Sequence, residues 1–280
     1  MRVRLSELLA EAERDRRAVG AFTCYNFEQA AGVLTAAADR RRGVVLLVSK
    51  QSFLAPAGPS LLAALAAVAE SVVVPACVQL DHVDDLDAMR RAFELGAGAV
   101  MADGSRLPFE ANVALVRDAV AIGDAFGGDV EAELGHVAGD EDVAAAVAAG
   151  SLTDPGEARQ LVDRTGVTCL AVSIGNVHGS YRQRPRLDWP RLEALRAQVP
   201  THLALHGASG LEPADVGRAI RLGVTKVNVN TELRERYLAV TSARLEAVSA
   251  GANVLALNRA QVDATADLVA AKLDELSAGD

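Results

Sequence analysis

The stretch Leu222-Gly-Val-Thr-Lys-Val-Asn228 recurs in kind at Leu95-Gly-Ala-Gly-Ala-Val-Met101 and at Thr165-Gly-Val-Thr-Cys-Leu-Ala171. In each, a glycine closes a helical stretch, where its freedom to adopt the left-handed cap conformation stops the helix. Each then runs directly into a short apolar segment of strand character. A helix handing over to a strand in the same way three times marks a repeated strand–helix unit, the building block of a parallel sheet.

Working outward, strands are expected at Val19–Phe22, Val44–Val48, Pro75–Leu80, Ala99–Met101, Asp129–Leu134, Cys169–Ser173, Leu203–Leu205 and Lys226–Val229. Helical periodicity fills the gaps at Glu28–Arg41, Ser60–Ala69, Asp87–Leu95, Phe109–Ala125, Glu157–Arg164, Trp189–Gln198 and Ala214–Leu222. Eight such units close a (β/α)8 barrel, so the expected class is α/β, a single TIM barrel; an open doubly wound sheet is the rival arrangement. No Pro/Ser-rich linker divides the chain, and residues 1–280 are taken as one domain. The last part departs from the repeat. Helices are expected at Thr231–Ser249 and Asp263–Leu276, joined by Ala250-Gly-Ala-Asn253, so residues 250–280 form an extra C-terminal helical extension suited to covering the barrel or a subunit interface.

The totals suit this fold. Half of the 280 residues are hydrophobic, 23% are charged and only 4% are aromatic. The core must then be Val, Ile, Leu and Ala, the filling of a parallel sheet covered on both faces. The net charge of −9, without a basic stripe, argues against nucleic acid as a partner. The N-terminal Met1-Arg-Val-Arg-Leu-Ser-Glu-Leu-Leu begins an amphipathic helix rather than a signal peptide. Apolar tracts such as Leu61–Ala69 fall short of the roughly 20 residues that span a bilayer, so no membrane partner is expected. Three scattered cysteines, Cys24, Cys77 and Cys169, fit reduced thiols and a cytoplasmic location. Cys24 as a nucleophile is the minor alternative.

Chemistry in such a barrel belongs at the C-terminal strand ends. Three of the five histidines fall there, in Cys77-Val-Gln-Leu-Asp-His82, Val172-Ser-Ile-Gly-Asn-Val-His-Gly179 and Leu203-Ala-Leu-His-Gly-Ala-Ser-Gly210. Any one of them alone reads as a strand-end histidine bonded to backbone. Together, His82, His178 and His206 are a set that suits a catalytic zinc with its fourth position open. Asp81 sits beside His82, where a carboxylate serves as proton donor or acceptor; its plainer roles are a helix cap or an ion pair with Arg90 or Arg91. Glu131 and Glu133, two apart on one strand, share a face, and inside a barrel they must be paired or functional. The stretches His178-Gly-Ser180, His206-Gly-Ala-Ser-Gly210 and Asn228-Val-Asn-Thr231 follow late strands, where such loops bind phosphate through backbone N–H groups and hydroxyls.

Taken in order, Leu80-Asp-His82, Met101-Ala-Asp-Gly-Ser105 with Leu107-Pro-Phe-Glu110, Val130-Glu-Ala-Glu-Leu-Gly135, Gly139-Asp-Glu-Asp142, Gly175-Asn-Val-His-Gly179, Leu205-His-Gly-Ala-Ser-Gly210 and Lys226-Val-Asn-Val-Asn-Thr231 resemble the class II (metal-dependent) ketose-bisphosphate aldolases. The resemblance runs from Leu5 to Leu233 and weakens in the tail. It implies reversible aldol cleavage of a ketose (bis)phosphate, such as fructose 1,6-bisphosphate, to dihydroxyacetone phosphate and an aldehyde. It implies Zn2+ or another divalent metal at His82, His178 and His206, with Glu133 as a nearby metal-site carboxylate. Asp81 takes the place of the acid that protonates the aldehyde oxygen, and Glu141 that of the glutamate that moves the proton at the nucleophilic carbon. Gly179, Gly207, Ser209, Asn228 and Thr231 correspond to the dihydroxyacetone phosphate pocket, with Ser49 and Ser105 near the substrate. A monovalent cation, Na+ or K+, near the phosphate and a homodimer or homotetramer are also implied.

Two positions depart from the family pattern. Gln79 stands where many members carry histidine, and Ala252-Asn253-Val254 stands where an Asp-Pro-Arg supplies an arginine for the aldehyde phosphate. Arg259 is the nearby candidate to replace it. The departure suggests dihydroxyacetone phosphate paired with an unphosphorylated or unusual aldehyde. Rival functions are a Schiff-base aldolase using Lys226, a non-catalytic sugar-phosphate-binding barrel, and a barrel metallohydrolase.

Overall fold

The computed structural model describes residues 1–139, 150–179 and 186–277. The element order is α1 (Leu5–Arg14), β1 (Val19–Thr23), α2 (Phe27–Arg40), β2 (Val44–Ser49), α3 (Lys50–Leu54), α4 (Gly58–Ser71), β3 (Ala76–Val83), α5 (Leu86–Glu94), β4 (Ala99–Ala102), α6 (Phe109–Phe126) and β5 (Asp129–Leu134). It continues with α7 (Pro155–Thr165), β6 (Cys169–Val172), α8 (Trp189–Gln198), β7 (His202–Leu205), α9 (Pro213–Arg221), β8 (Val224–Val229), α10 (Thr231–Ser249) and α11 (Val254–Glu275). The eight strands form a closed parallel barrel in sequence order, with β8 paired back onto β1. The open doubly wound sheet is excluded.

Alternation along the strands produces two separate apolar layers. Val19 and Ala21, Val45 and Leu47, Cys77, Ala99 and Met101, Cys169 and Ala171, and Ala204 pack inside the ring with Leu5, Leu8 and Leu9 of α1, which plugs its floor. The intervening residues, such as Leu46, Val78, Val100, Val130 and Leu170, face the surrounding helices. Towards the C-terminal ends the inward positions turn polar: Gln79 and Asp81, Glu131 and Glu133, and Lys226 and Asn228 are all buried. A hydrophobic floor thus carries a charged upper layer.

Helix starts follow local chemistry. Asp85, Asp154 and Asp188 accept hydrogen bonds from the first backbone N–H groups of α5, α7 and α8. Some bounds differ from expectation. Strand β3 extends past Leu80 to Val83, and β8 begins at Val224 directly after Gly223. Helix α11 begins at Val254 rather than Asp263, capped by the Asn253 side chain on the Ala256 N–H. It returns to pack on α2, while α10 leans on α11 and buries only Thr231 and Leu233 of its own length. The α2–α11 approach is close: a Cβ on Gly32 would lie 2.5 Å from Thr265 Cβ. No helix among the described residues is long and apolar enough to cross a membrane.

Candidate metal centre and catalytic cleft

Inward alternation along β3 places Gln79 and Asp81 in the barrel, which should send His82 outward. Instead the pairing of β3 with β4 shifts register between Leu80 and Val83, and His82 adopts a left-handed backbone, φ 51°. That conformation costs a non-glycine residue on the order of 1–2 kcal/mol. It lets both neighbours, Asp81 and His82, serve the barrel mouth. The His82 ring centroid lies 4.9 Å from that of His178 and 4.9 Å from that of His206. The three side chains offer ligand nitrogens all within 4.8 Å of one another.

The hydrogen bonds around these rings test whether a cation fits. Asp103 Oδ2 lies 2.8 Å from His82 Nδ1, and Glu131 Oε1 lies 2.8 Å from His206 Nε2. An ionised carboxylate only accepts, so each of those nitrogens carries the ring's proton. In neutral rings the opposite nitrogens, His82 Nε2 and His206 Nδ1, present lone pairs to each other at 3.0 Å. Two lone pairs at that distance repel unless a proton or a cation lies between them. A proton serves only two nitrogens, whereas His178 brings a third. The donor set, neutral imidazoles whose far nitrogens are held by carboxylates, is that of a zinc-type site.

The electrostatics agree. Burial works against Asp103 and Glu131 as anions. The hydrogen bond and charge of His82 outweigh it at Asp103, and Lys226 with His206 outweigh it at Glu131, so both lie well below the usual carboxylate range. Burial pushes His206 down to about 4, against the pull of Glu131, keeping the ring neutral at pH 7. Glu133 differs. Its Oε1 accepts the Val137 N–H at 3.0 Å, while Oε2 has no hydrogen bond and lies 3.9 Å from His82 Nδ1 and from His206 Nδ1. Burial, helped by the Asp103 charge, raises its carboxyl to about 7. His82, Asp103 and Glu133 form a second cluster with metal-ligand spacing.

A buried chain of polar groups supports the trio from below. Lys226 Nζ lies 2.8 Å from Glu131 Oε2 and donates to Asn228 Oδ1 at 2.7 Å. Gln79 Nε2 also donates to Glu131 Oε2, at 2.8 Å. Asn228 Nδ2 donates to Asp81 Oδ2 at 3.2 Å. Asp81 thus looks toward β8, and the ion pair with Arg90 or Arg91 is replaced by this amide contact. The Lys226 ammonium feels burial pulling it down, but Glu131 and Asp81 hold it above its ordinary value. A Schiff-base lysine must be a free amine. Lys226 is a counter-ion, and the lysine rival fails. Cys24 is fully buried and its thiol is pushed up to about 12 by burial, so it is no nucleophile.

Above the trio lies a cleft of about 280 Å³, lined among others by Ser49, Lys50, His82, Asp103, Arg106, His136 and His178. Ser105 borders it, its Oγ 3.4 Å from His136 Nδ1. Gly179, Gly207 and Ser209 lie in the turns after β6 and β7, and Thr231 is the first residue of α10, just after β8. The Gly210 N–H donates to Glu232 Oε1 at 3.2 Å, tying the turn after β7 to the start of α10. Gly207 has φ 62°, and a Cβ there would sit 2.0 Å from the Val177 carbonyl oxygen. Only glycine lets the β7 turn approach the β6 turn that closely. Glu141, with most of the acidic loop around it, and Ser180 lie outside the described residues. Arg259 lines clefts between α11 and its neighbours α2 and α10, not the cleft over the histidines. The sequence alone assigns no role to Asp103, Arg106 or His136. Asp103 carries a usable signal, as a carboxylate directly after a barrel strand.

The model of the fructose-bisphosphate aldolase class-II family matches residues 3–280. Among solved structures, the YdjI aldolase from Escherichia coli K12 is 28% identical, with TM-score 0.88 over 100% of this chain and 99% of that one. A candidate fructose-1,6-biphosphate aldolase from Coccidioides immitis is 30% identical, with TM-score 0.89 over 98% and 96%. The fructose-bisphosphate aldolase of Campylobacter jejuni, 19% identical with TM-score 0.82 over 99% and 96%, shares the fold. With the same barrel and a family match across nearly its whole length, the chain belongs to the class II fructose-bisphosphate aldolase family, and it is a carbon–carbon lyase.

Proposed function

We propose that this aldolase reversibly cleaves a ketose phosphate to dihydroxyacetone phosphate and an aldehyde, using a divalent cation held by His82, His178 and His206. The observation that carries the reading is the pair of ring nitrogens, His82 Nε2 and His206 Nδ1, facing each other at 3.0 Å with their far sides fixed by Asp103 and Glu131. When bound, zinc or another divalent cation supplies the Lewis acidity that stabilises the negative charge left by carbon–carbon cleavage.

The chain's own groups do the rest. Asp81, oriented by the Asn228 amide, takes the proton from the hydroxyl that becomes the aldehyde oxygen and returns it during condensation. Glu141 moves the proton at the nucleophilic carbon. Gly179, Gly207, Ser209, Asn228 and Thr231 hold the phosphate end, with Na+ or K+ beside it, while Ser49 and Ser105 border the reacting carbons. Glu133, raised by burial to about 7 and so only part ionised at neutral pH until a cation arrives, is the reserve ligand. The assembly is a homodimer or homotetramer in the cytoplasm.

The position of Arg259 favours a refinement: it lies off the cleft, so the aldehyde is not held through a tail arginine of this chain. An unphosphorylated or unusual aldehyde is then the alternative to glyceraldehyde 3-phosphate, and any anionic end of the aldehyde half is held from elsewhere in the cleft. The test is metal-dependent exchange of a carbon-bound proton of dihydroxyacetone phosphate with solvent. Exchange that disappears with chelator and returns with zinc supports the reaction; exchange that persists without metal overturns it.

A further inference from the structure

Arg106 is exposed, lines the cleft beside the histidine trio, and has no ion pair among the described residues. Its neighbours in the cleft are already committed. Lys50 pairs with Asp84. Asp103 holds the His82 ring at 2.8 Å and the Ser105 N–H at 3.1 Å. Among the described residues, Arg106 is therefore a positive charge without an ion-pair partner, in the cleft of a chain whose net charge is −9. His136, reached through Ser105, adds a ring nitrogen to the same wall.

The barrel order says which end of a substrate this wall meets. Arg106 follows β4 and His136 follows β5, whereas Asn228 lies at the end of β8 and Thr231 opens α10 directly after it. In a closed ring of eight strands numbered in order, β4 stands directly across from β8. A ketose phosphate anchored by its phosphate at the β7–β8 turns crosses the histidines and points its other end at β4 and β5. That end is the aldehyde half.

We propose that Arg106, with His136 beside it, binds an anionic group, carboxylate or phosphate, at the far end of the aldehyde half. This rests on the aldolase reading above and adds a specificity determinant to it. A guanidinium meeting such an anion makes charge-assisted, often bidentate, hydrogen bonds. Removing one such partner costs about tenfold to a hundredfold in binding. The contact is remote from the bond that breaks, so the loss falls mainly on KM.

The experiment offers dihydroxyacetone phosphate with glyceraldehyde, glyceraldehyde 3-phosphate and succinate semialdehyde to zinc-loaded protein, wild type and Arg106→Ala, Arg106→Glu and Arg106→Lys. Exchange of the dihydroxyacetone phosphate proton is followed in parallel. The expected result is a wild-type preference for one or both anionic aldehydes. Arg106→Ala lowers kcat/KM for the preferred anion at least tenfold more than for glyceraldehyde, Arg106→Glu does so further, and Arg106→Lys restores part. Equal use of all three aldehydes by the wild type, or equal losses for charged and neutral aldehydes in Arg106→Ala, overturns the proposal. Proton exchange without any condensation also overturns it while leaving the metal chemistry standing, whereas absence of both exchange and condensation removes the aldolase reading itself.

Discussion

Lys226 Nζ lies 2.8 Å from Glu131 Oε2, and both side chains are completely buried at the centre of the barrel. Glu131 in turn accepts from His206, so the lysine anchors the carboxylate that orients a ring of the trio. Removing one partner of a buried pair strands the other charge, at a cost of about 3–5 kcal/mol. Lys226→Met is expected to lose stability of that order in denaturant titrations. Adding Glu131→Leu should recover much of it, yet leave His206 without its acceptor, so that zinc binds about 10–100-fold more weakly. Borohydride with substrate should trap no adduct on the wild type.

The contact between Asp103 and His82 yields a different expectation. Asp103 is partly exposed at the cleft and its loss strands no buried charge. Asp103→Asn should leave the melting temperature nearly unchanged while weakening zinc affinity about 10–100-fold, because the His82 ring loses the group that fixes its tautomer. A competition titration against a chromophoric chelator measures this.

Gly207 connects the trio to the turns expected to bind phosphate. With φ 62° and the Val177 carbonyl oxygen 2.0 Å from where a Cβ would stand, Gly207→Ala combines left-handed strain with a backbone clash. The substitution should displace His206 or the His178 turn. Zinc binding and dihydroxyacetone phosphate binding are expected to fall together by calorimetry, whereas Gly127→Ala should spare both, since nothing lies within 4 Å of a Cβ there.

The three thiols give a pH prediction. Cys24, Cys77 and Cys169 are buried, and burial raises all three above the ordinary value of 9.0, Cys24 to about 12. A raised acid pKa in the folded state favours the protonated form there, so the stability it contributes is present below pH 9 and lost as pH rises beyond it. Each thiol should cost about 1.4 kcal/mol per pH unit above 9, until the folded form ionises too. A disulfide reagent at pH 8 should label the native chain far more slowly than the denatured one.

The barrel is legible in the sequence because most strands are buried on both faces and read as short apolar runs, punctuated by glycine caps at Gly96, Gly166 and Gly223. The histidine trio is legible because strand ends converge in such a ring. What cannot be read depends on pairing across strands. The Asp103 contact needs the β3–β4 register shift and the unusual φ of His82, neither written in local sequence. Lys226 stays open as a rival Schiff-base lysine until Glu131 is seen across the barrel. The first turn of α11 escapes a periodicity reading because Val254 and Leu255 are 67% and 59% exposed, which breaks the amphipathic pattern. Arg259 is close to the site in sequence, but the long α10 carries it to the outer helical layer.

The most direct measurement is X-ray absorption at the zinc edge on protein dialysed against one equivalent of zinc, compared with His82→Ala, His178→Ala and His206→Ala. The account predicts one tightly held ion per chain with imidazole scattering from three rings, reduced by one ring in each variant. An ion bound through other donors, or full turnover by a variant lacking all three histidines, would contradict it.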